Sequence, residues 1–251
     1  MKKRYFPGIL VLILALNSCS SDSGDFLDSY AQPPTSKGGP GGVWVDSYGD
    51  LRIDSTIYNL NSSGELVPAT SLNGKYVGAM CTSGADAYYP EAISNGAFST
   101  GIWIYDENYL EHIEDLGILG YGQVIESGAG VKVAWIEDTH VMEEIGEHSF
   151  LIIGHIGLLS NIQIAEETSG GESKYVIKNA DQYGFFYSAG DISLSGTFKW
   201  NPGDEYSNHV DVKLTKGWNV VIISSATNGD NIWESKNPLG DAKWVVLPDE
   251  D

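Results

Sequence analysis

Residues 192–198 have the sequence Ile-Ser-Leu-Ser-Gly-Thr-Phe, and residues 210–214 have the sequence Val-Asp-Val-Lys-Leu. In both segments apolar and polar side chains alternate, which is the period of a strand with one buried face and one solvated face. This alternation is typical of antiparallel sheets. The two segments therefore predict an antiparallel sheet.

The same strand signal recurs along most of the chain. Stretches rich in Val, Ile, Tyr, Trp and Thr alternate with Gly, Asn, Asp and Ser clusters at spacings typical of β-sandwiches. The predicted strands are 42–45, 51–60, 75–81, 98–105, 131–137, 150–153, 158–165, 175–178, 183–188, 192–200, 210–214, 219–224 and 243–247. Strands 150–153 and 158–165 are expected to be joined by a turn with the sequence Gly-His-Ile-Gly.

Helical signal is confined to two places. Residues 106–116 predict a short helix with Asp106 as its N-cap, and residues 138–145 are the second candidate. We therefore expect an all-β protein, an antiparallel β-sandwich with at most one or two short helices.

The domain organisation follows from composition. Residues 19–42 are rich in Ser, Asp, Gly and Pro, which predicts a flexible tether. A polar break at 166–173 divides the remainder into β modules at 43–168 and 169–251. Two consecutive sandwiches and one large sandwich both fit this pattern.

The first 18 residues predict a secretory signal peptide. Lys2, Lys3 and Arg4 form a basic head, residues 9–16 are an apolar run, and Leu-Asn-Ser-Cys at 16–19 is a short polar exit. A membrane-spanning helix needs about 20 apolar residues, so this run is too short to remain as an anchor.

The exit at 16–19 resembles the lipobox of bacterial lipoproteins, with Leu16 three positions before Cys19 and a small residue directly before it. The resemblance implies cleavage before Cys19, acylation of Cys19, and a lipid-anchored protein of the cell envelope, at the outer membrane or cell surface. The alternative is an ordinary secretory signal. If Cys19 is acylated, Cys81 is the only cysteine left, and we expect it to be a buried, inert thiol.

Residues 174–222 are similar to the closing part of bacterial lipoproteins that have no assigned activity. The shared features are an aromatic strand, the Asp-Ile-Ser-Leu-Ser-Gly segment and the turn Lys216-Gly217-Trp218-Asn219. The resemblance implies an extracytoplasmic β-sandwich. In the turn, Lys216 and Gly217 are expected to close a hairpin, with Trp218 as a packing anchor at the sheet end.

Charge and motifs restrict the function. The chain has 14 Lys and Arg against 34 Asp and Glu, a formal charge of −20, which argues against nucleic acid as a partner. The sequence has no GxSxG, HExxH, P-loop or EF-hand motif, so we expect a protein that is not an enzyme.

Two metal sites are candidates. His140, Glu144 and His148 are spaced four residues apart, which on a helix places two imidazoles and a carboxylate on one face, suited to zinc. The acidic loops 201–208 and 228–231 offer carboxylate and amide oxygens to Ca²⁺. The alternatives are a solvated polar edge for the first and surface turns for the second.

The tryptophans nearest to turns are Trp44, Trp218 and Trp233. Such rings stack on sugars or anchor a protein partner, and the alternative is packing within strands. The leading hypothesis is a lipid-anchored extracytoplasmic protein with a non-catalytic binding or structural role, in its sharper version carbohydrate binding. The alternatives are a hydrolase on a β scaffold and a subunit of an envelope protein assembly, so that the partner is the membrane together with a polysaccharide or an envelope protein.

Overall fold

The computed structural model describes residues 32–82, 84–87, 91–112, 121–127, 130–146, 149–169, 172–199, 201–238 and 240–248. Apart from three short 3₁₀ helices, Pro40–Gly42, Thr70–Leu72 and Glu107–Tyr109, the regular structure of these residues is entirely β, which confirms the all-β prediction. The strands are β1 (Val43–Val45), β2 (Leu51–Leu60), β3 (Leu66–Pro68), β4 (Tyr76–Cys81), β5 (Ala85–Ala87), β6 (Ala97–Ile104), β7 (Glu111–His112), β8 (Tyr121–Ser127), β9 (Lys132–Gly146), β10 (Ser149–Ser169), β11 (Glu172–Ser188), β12 (Ile192–Lys199), β13 (Asn208–Leu214), β14 (Gly217–Ser225), β15 (Asn231–Ser235) and β16 (Lys243–Leu247). Within the described ranges, no helix has the length and apolar character needed to cross a bilayer.

All 16 strands belong to one sheet, whose main order is β5-β6-β2-β16-β10-β9-β11-β14-β15-β13-β12-β8. Strands β1 and β3 also pair with β2, and β4 and β7 pair with β9. Two pairs are parallel, β13 with β15 and β16 with β2. The expectation of a wholly antiparallel sheet is therefore wrong at these pairs, because crossover connections rather than hairpins bring their strands together.

The two predicted modules share this sheet. Strand β16 from the second segment pairs with β2 and β10 from the first, and β8 from the first pairs with β12 from the second. The Lys216–Gly217 turn joins β13 to β14, and β15 lies between these two strands. The turn is thus a crossover and not the hairpin that its sequence predicts.

The second predicted helix is wrong. Residues 138–145 lie in β9, where Thr139 and Val141 are buried and the strand pairs with β4 on one side and β10 on the other. Pairing on both edges satisfies the backbone and favours β-branched residues, which outweighs the helical spacing of the polar residues. At the first site only one 3₁₀ turn forms, Glu107–Tyr109, where the Asp106 side chain accepts a hydrogen bond from Asn108 N at 2.9 Å. Residues 113–116 of that prediction lie outside the described residues.

The strand β10 organises the central part of the sheet. It pairs with β9 through residues 149–155 and with β11 through residues 158–169. The expected turn at 154–157 is absent, since β10 continues through these residues and pairs there with β16. Register shifts near 152–154 and 160–164 instead let one long strand change partners.

Buried apolar side chains form two clusters. In the first, Trp244 packs edge-on against Phe98 at 5.7 Å between ring centroids and stacks on Phe185 at 6.3 Å. In the second, Phe198 packs edge-on against Trp233 at 5.7 Å. Because each ring is buried against another, these aromatic residues fix the strands of each cluster relative to one another.

Candidate functional site

Trp218 and Trp233 are core residues. Their exposed fractions are 3% and 4%. Trp233 Nε1 donates a hydrogen bond to Asn208 Oδ1 at 3.1 Å, and Trp218 packs edge-on against Tyr187 at 5.6 Å between centroids. The prediction that they are exposed ligand platforms is wrong because their strand faces point into the apolar interior. The expected packing role of Trp218 is confirmed.

Trp44 lies at the surface, half-buried, on β1 opposite Arg52 of β2. The Lys37 ammonium is 5.6 Å from the centroid of its ring, a cation–π arrangement, and 2.6 Å from Asp54 Oδ2. Trp44 is therefore joined through Lys37 to the outer face of β2.

A groove of about 310 Å³ lies over this face of β2. It is lined by Asp54, Ser55, Thr56 and Tyr58 of β2, by Gly41 and Gly42, and by residues 240–243. The volume is at the lower end of the range of small-molecule sites. This concave surface is the candidate functional site.

Glycine makes one wall of the groove. Gly42 has φ = 73°, and a Cβ there would lie 1.9 Å from the Asp54 carbonyl oxygen, so only glycine lets the wall approach β2 this closely. The carbonyl oxygen of Gly41 accepts a hydrogen bond from Trp244 Nε1 at 2.9 Å. Since Trp244 is buried, the wall is fastened directly to the core.

The groove carries charges of both signs. Burial by itself would raise the pKa of Asp54, but hydrogen bonds from Lys37 and Ser99 together with nearby positive charge lower it below its usual value. Across the groove, Lys243 Nζ is 5.7 Å from the centroid of the Tyr58 ring, and Asp241 lies in the same wall. Two acidic residues, one lysine, two hydroxyl residues and one tyrosine thus line one cavity.

The predicted zinc triad does not assemble. His140 and Glu144 are both in β9, where four residues span about 13 Å instead of one helical turn, so they cannot ligate one ion together. His148 lies outside the described residues. The part of the chain that the structure describes contains no group of three or more His, Cys, Asp or Glu side chains that would hold a metal.

His140 instead belongs to a polar cluster on one face of the sheet. His155 Nδ1 is 2.7 Å from Asp138 Oδ2, and His140 Nδ1 is 3.7 Å from the same oxygen, too far for a hydrogen bond. Burial lowers the pKa of His140, against the opposing charge of Asp138. On the other side, a Cβ at Gly78 would lie 2.8 Å from His140 Nε2, so glycine leaves the space that the imidazole fills.

The two acidic loops do come together, because Asn208 pairs with Asn231. Asp230 is the carboxylate at their junction, and its oxygens accept hydrogen bonds from Ser207 N at 2.8 Å and Asn228 Nδ2 at 2.7 Å, while His209 Nε2 lies at 3.0 Å. The bond from the Ser207 backbone is the largest cause that lowers the pKa of Asp230, followed by that from His209. These internal donors account for the loops as surface turns, and Ca²⁺ binding stays a prediction.

One exposed aromatic pair is missing from the sequence prediction. Tyr105 and Tyr109 are both exposed, with ring centroids 6.0 Å apart. Tyr109 lies in the segment 106–116, for which the sequence predicts a helix, whereas the structure has a 3₁₀ turn at Glu107–Tyr109. The polar neighbours Asp106 and Asn108 are the signal that favours a surface turn here.

Cys81 ends β4, half-buried and packed against the first apolar cluster. Cys19 lies outside the described residues.

Comparison of this chain with protein-family models, curated proteins and solved structures gives no significant match.

Proposed function

We propose that the protein is a lipid-anchored component of the bacterial cell envelope whose role is to bind carbohydrate, without catalysis, in the groove over β2. The observation that carries the proposal is this groove of about 310 Å³, in which Asp54, Asp241, Lys243 and the Tyr58 ring face one cavity. The anchor is proposed from the lipobox-like sequence ending at Cys19.

The chemistry of the groove favours a neutral, hydroxyl-rich ligand. Sugar hydroxyls both donate to carboxylates and accept from ammonium groups, so a groove with both charges satisfies them better than it satisfies an ion of either sign. The Tyr58 ring lies beneath the Lys243 ammonium, and a sugar ring that displaces this ammonium gains the apolar contact of the aromatic face. The groove size suits a short stretch of a polysaccharide.

A β-sandwich is the architecture that we propose for the fold. An open twisted sheet of 16 strands is expected to curl or to divide into packed layers. Two buried apolar clusters, one around Trp244 and one around Phe198, would form the core between such layers.

The charge state of Asp54 argues against this residue as the general acid of a hydrolase and suits a hydrogen-bond acceptor. Glycoside hydrolysis needs a carboxylic acid whose pKa is raised so that it donates a proton. The pKa of Asp54 is lowered, so its carboxylate is ionised and accepts hydrogen bonds from a ligand.

The test uses the full-length protein in detergent with a panel of neutral oligosaccharides. We expect a saturable rise in Tm with a change in Trp fluorescence and no release of reducing sugar. Tyr58→Ala and Asp241→Asn are expected to weaken binding about tenfold each. The matched control is Tyr109→Ala, which removes an exposed tyrosine outside the groove and is expected to bind as the parent does.

Three other outcomes would change the proposal. Release of reducing sugar contradicts the non-catalytic role and favours a hydrolase. Loss of binding in Tyr109→Ala but not in Tyr58→Ala moves the site to the Tyr105 and Tyr109 pair. No stabilisation by any oligosaccharide overturns carbohydrate binding.

The anchor has its own test. Cells expressing the protein with a labelled fatty acid are expected to incorporate label, and Cys19→Ser is expected to abolish it. Equal labelling of the Cys81→Ser control separates acylation of Cys19 from acylation of the other thiol. Absence of label in the parent protein contradicts the lipoprotein proposal.

A further inference from the structure

The end of the β9–β10 hairpin exposes aliphatic side chains. Ile145 on β9 is 65% exposed, and Leu151, Ile152 and Ile153 on β10 are 52%, 46% and 40% exposed. Among the described residues, no other Leu, Ile or Val is among the exposed large apolar side chains. Because successive strand residues point to opposite faces, exposure at three consecutive positions means that both faces of this end are in solvent.

One edge of β10 also has no partner here among the strands that the structure describes. At His155, β10 pairs with His140 of β9 and with Leu247 of β16, so β9 and β16 lie on opposite edges. From residue 149 to 154, β10 pairs with β9 alone in the part of the chain that the structure describes. Beyond the end of β16, the space along residues 149–154 of β10 is thus bordered by backbone N–H and C=O groups that have no partner in a described strand. We call this space the β10 lane.

The β10 lane lacks two of the usual protections of an edge strand, charged side chains and proline. Residues 149–154 have the sequence Ser-Phe-Leu-Ile-Ile-Gly, with no charged residue and no proline. Such a segment is a template for an added strand, in which backbone hydrogen bonds give affinity and alternate side chains give specificity. Strand β16 ends at Leu247, next to Pro248, which has no N–H to continue the ladder.

We propose that the β10 lane binds an extended segment of another protein by β-strand addition, with apolar side chains at alternate positions and Lys or Arg at its ends. This is a protein-binding surface separate from the carbohydrate groove and goes beyond that proposed function.

Charge selects the occupant. The chain carries −20, and Glu144 lies on β9 opposite Phe150, next to Glu143, whose charge is paired with Lys75. Two copies of so acidic a chain repel each other, and an anionic lipid surface repels the chain as well. A basic segment is attracted to it. A bilayer also offers no donors and acceptors to the open backbone edge.

The test measures binding of fluorescent peptides to the full-length protein by anisotropy. The probes are peptides of about nine residues in which Thr alternates with Val, Ile, Leu or Tyr between terminal lysines, a length that spans six residues of β10 at about 3.3 Å each. We expect saturable binding and new hydrogen-exchange protection at residues 149–154. The same peptides with alternate amides N-methylated are expected to lose binding, a result that needs no protein variant.

Variants locate the surface. Leu151→Lys and Ile153→Lys are expected to weaken binding about tenfold or more, and Gln163→Lys, which adds the same charge at an exposed position farther along β10, is expected to bind as the parent does. If a lysine variant fails to fold by circular dichroism, Ile153→Thr replaces it.

Four outcomes overturn the proposal. In the first, no peptide of the set binds. In the second, binding survives N-methylation. In the third, the protein alone sediments as a dimer that Leu151→Lys dissociates, which makes the occupant a second copy. In the fourth, vesicles of phosphatidylethanolamine and phosphatidylglycerol bind the protein in a way that Leu151→Lys abolishes, which makes it a membrane.

Discussion

The two ends of β10 differ although they belong to one strand. Both extend past β16, one paired with β9 at 149–154 and the other with β11 at 160–169. The first end exposes Leu151, Ile152 and Ile153, whereas the second exposes Gln163, Glu166 and Glu167. Neither end has a described strand next to it on the β16 side. The exposed side chains are apolar at the first end and mainly acidic at the second.

The acidic end carries two of the features that proteins use to protect an edge. Charged side chains disfavour an added strand, and Asn161, with φ = 50°, further disturbs a ladder whose register shifts at both ends of β10. A contact from another part of the sheet also lies beside this end. Tyr175, which pairs with Glu166, packs its ring so closely on Gly64 that a Cβ on Gly64 would lie 2.7 Å from the ring. Addition of a partner strand is therefore expected to be more favourable at the apolar end than at the acidic end.

The largest expected effect separates the middle of β10 from its apolar end. Leu158 is fully buried between β16 and β11, so Leu158→Ala is expected to lower the free energy of unfolding by about 2–5 kcal/mol. The matched change Leu151→Ala is expected to alter it by less than about 0.5 kcal/mol, because that side chain is already in solvent. Urea unfolding measures both. A similar loss in the two variants would contradict the exposed state of the end.

Aggregation tests the difference between the ends directly. Leu151→Lys is expected to slow aggregation several-fold at neutral pH, because it places a charge on an apolar open edge. The reciprocal pair Glu166→Val and Glu167→Val is expected to speed aggregation, because it removes the charges that protect the other end. Light scattering during incubation measures the rates. Faster aggregation in Leu151→Lys, with the fold intact, would reverse the assignment of the two ends.

We expect the stability at the boundary of the apolar end to depend on pH. His140, opposite His155, has a folded-state pKa below its unfolded value of about 6.5, so the unfolded chain binds more protons in that window. Its contribution to stability is complete above about pH 6.5 and is lost as the pH falls through the folded pKa, at no more than about 1.4 kcal/mol per pH unit. Urea unfolding from about pH 7.5 to 5.5 measures this slope.

Two variants assign that slope. His140→Gln is expected to flatten it, whereas His112→Gln, on the short β7 strand, is expected to keep it. Hydrogen-exchange protection factors, which correct for the intrinsic slowing of exchange at lower pH, are expected to fall at 149–155 and not at 163–169 as the pH falls. An unchanged slope in His140→Gln would assign the acid sensitivity to other groups.

How far the sequence predicts this molecule depends on the range of the interaction. Alternation in 192–198 and 210–214 predicts β12 and β13 correctly because burial of one strand face is local information. The Gly-His-Ile-Gly segment predicts a turn because glycines favour turns, but pairing with β16, almost a hundred residues away in the sequence, keeps it extended. Local propensity yields to such long-range pairing.

The candidate site shows the same limit. Trp218 and Trp233 are near turns in the sequence, yet their direction is set by which sheet face is buried, and no local pattern reports that. Four-residue spacing brings His140 and Glu144 together only on a helix. The groove joins Gly42, Asp54 and Lys243 through the parallel pairing of β16 with β2, a crossover that the sequence does not announce.

The smallest effects on stability are expected from one ion pair near each end of β10. Lys178 Nζ lies 3.4 Å from Glu167 Oε1 at the acidic end, and Lys75 pairs with Glu143 beside the apolar end. Both pairs are solvated, so a double-mutant cycle with alanine is expected to give a coupling energy of less than about 1 kcal/mol for each pair. The Lys178 pair, with the more exposed lysine, is expected to be the weaker. Raising the salt concentration is expected to reduce both couplings, and a salt-independent coupling at Lys75 would mean that its hydrogen bond to Glu143, and not charge, holds β4 to the base of the apolar end.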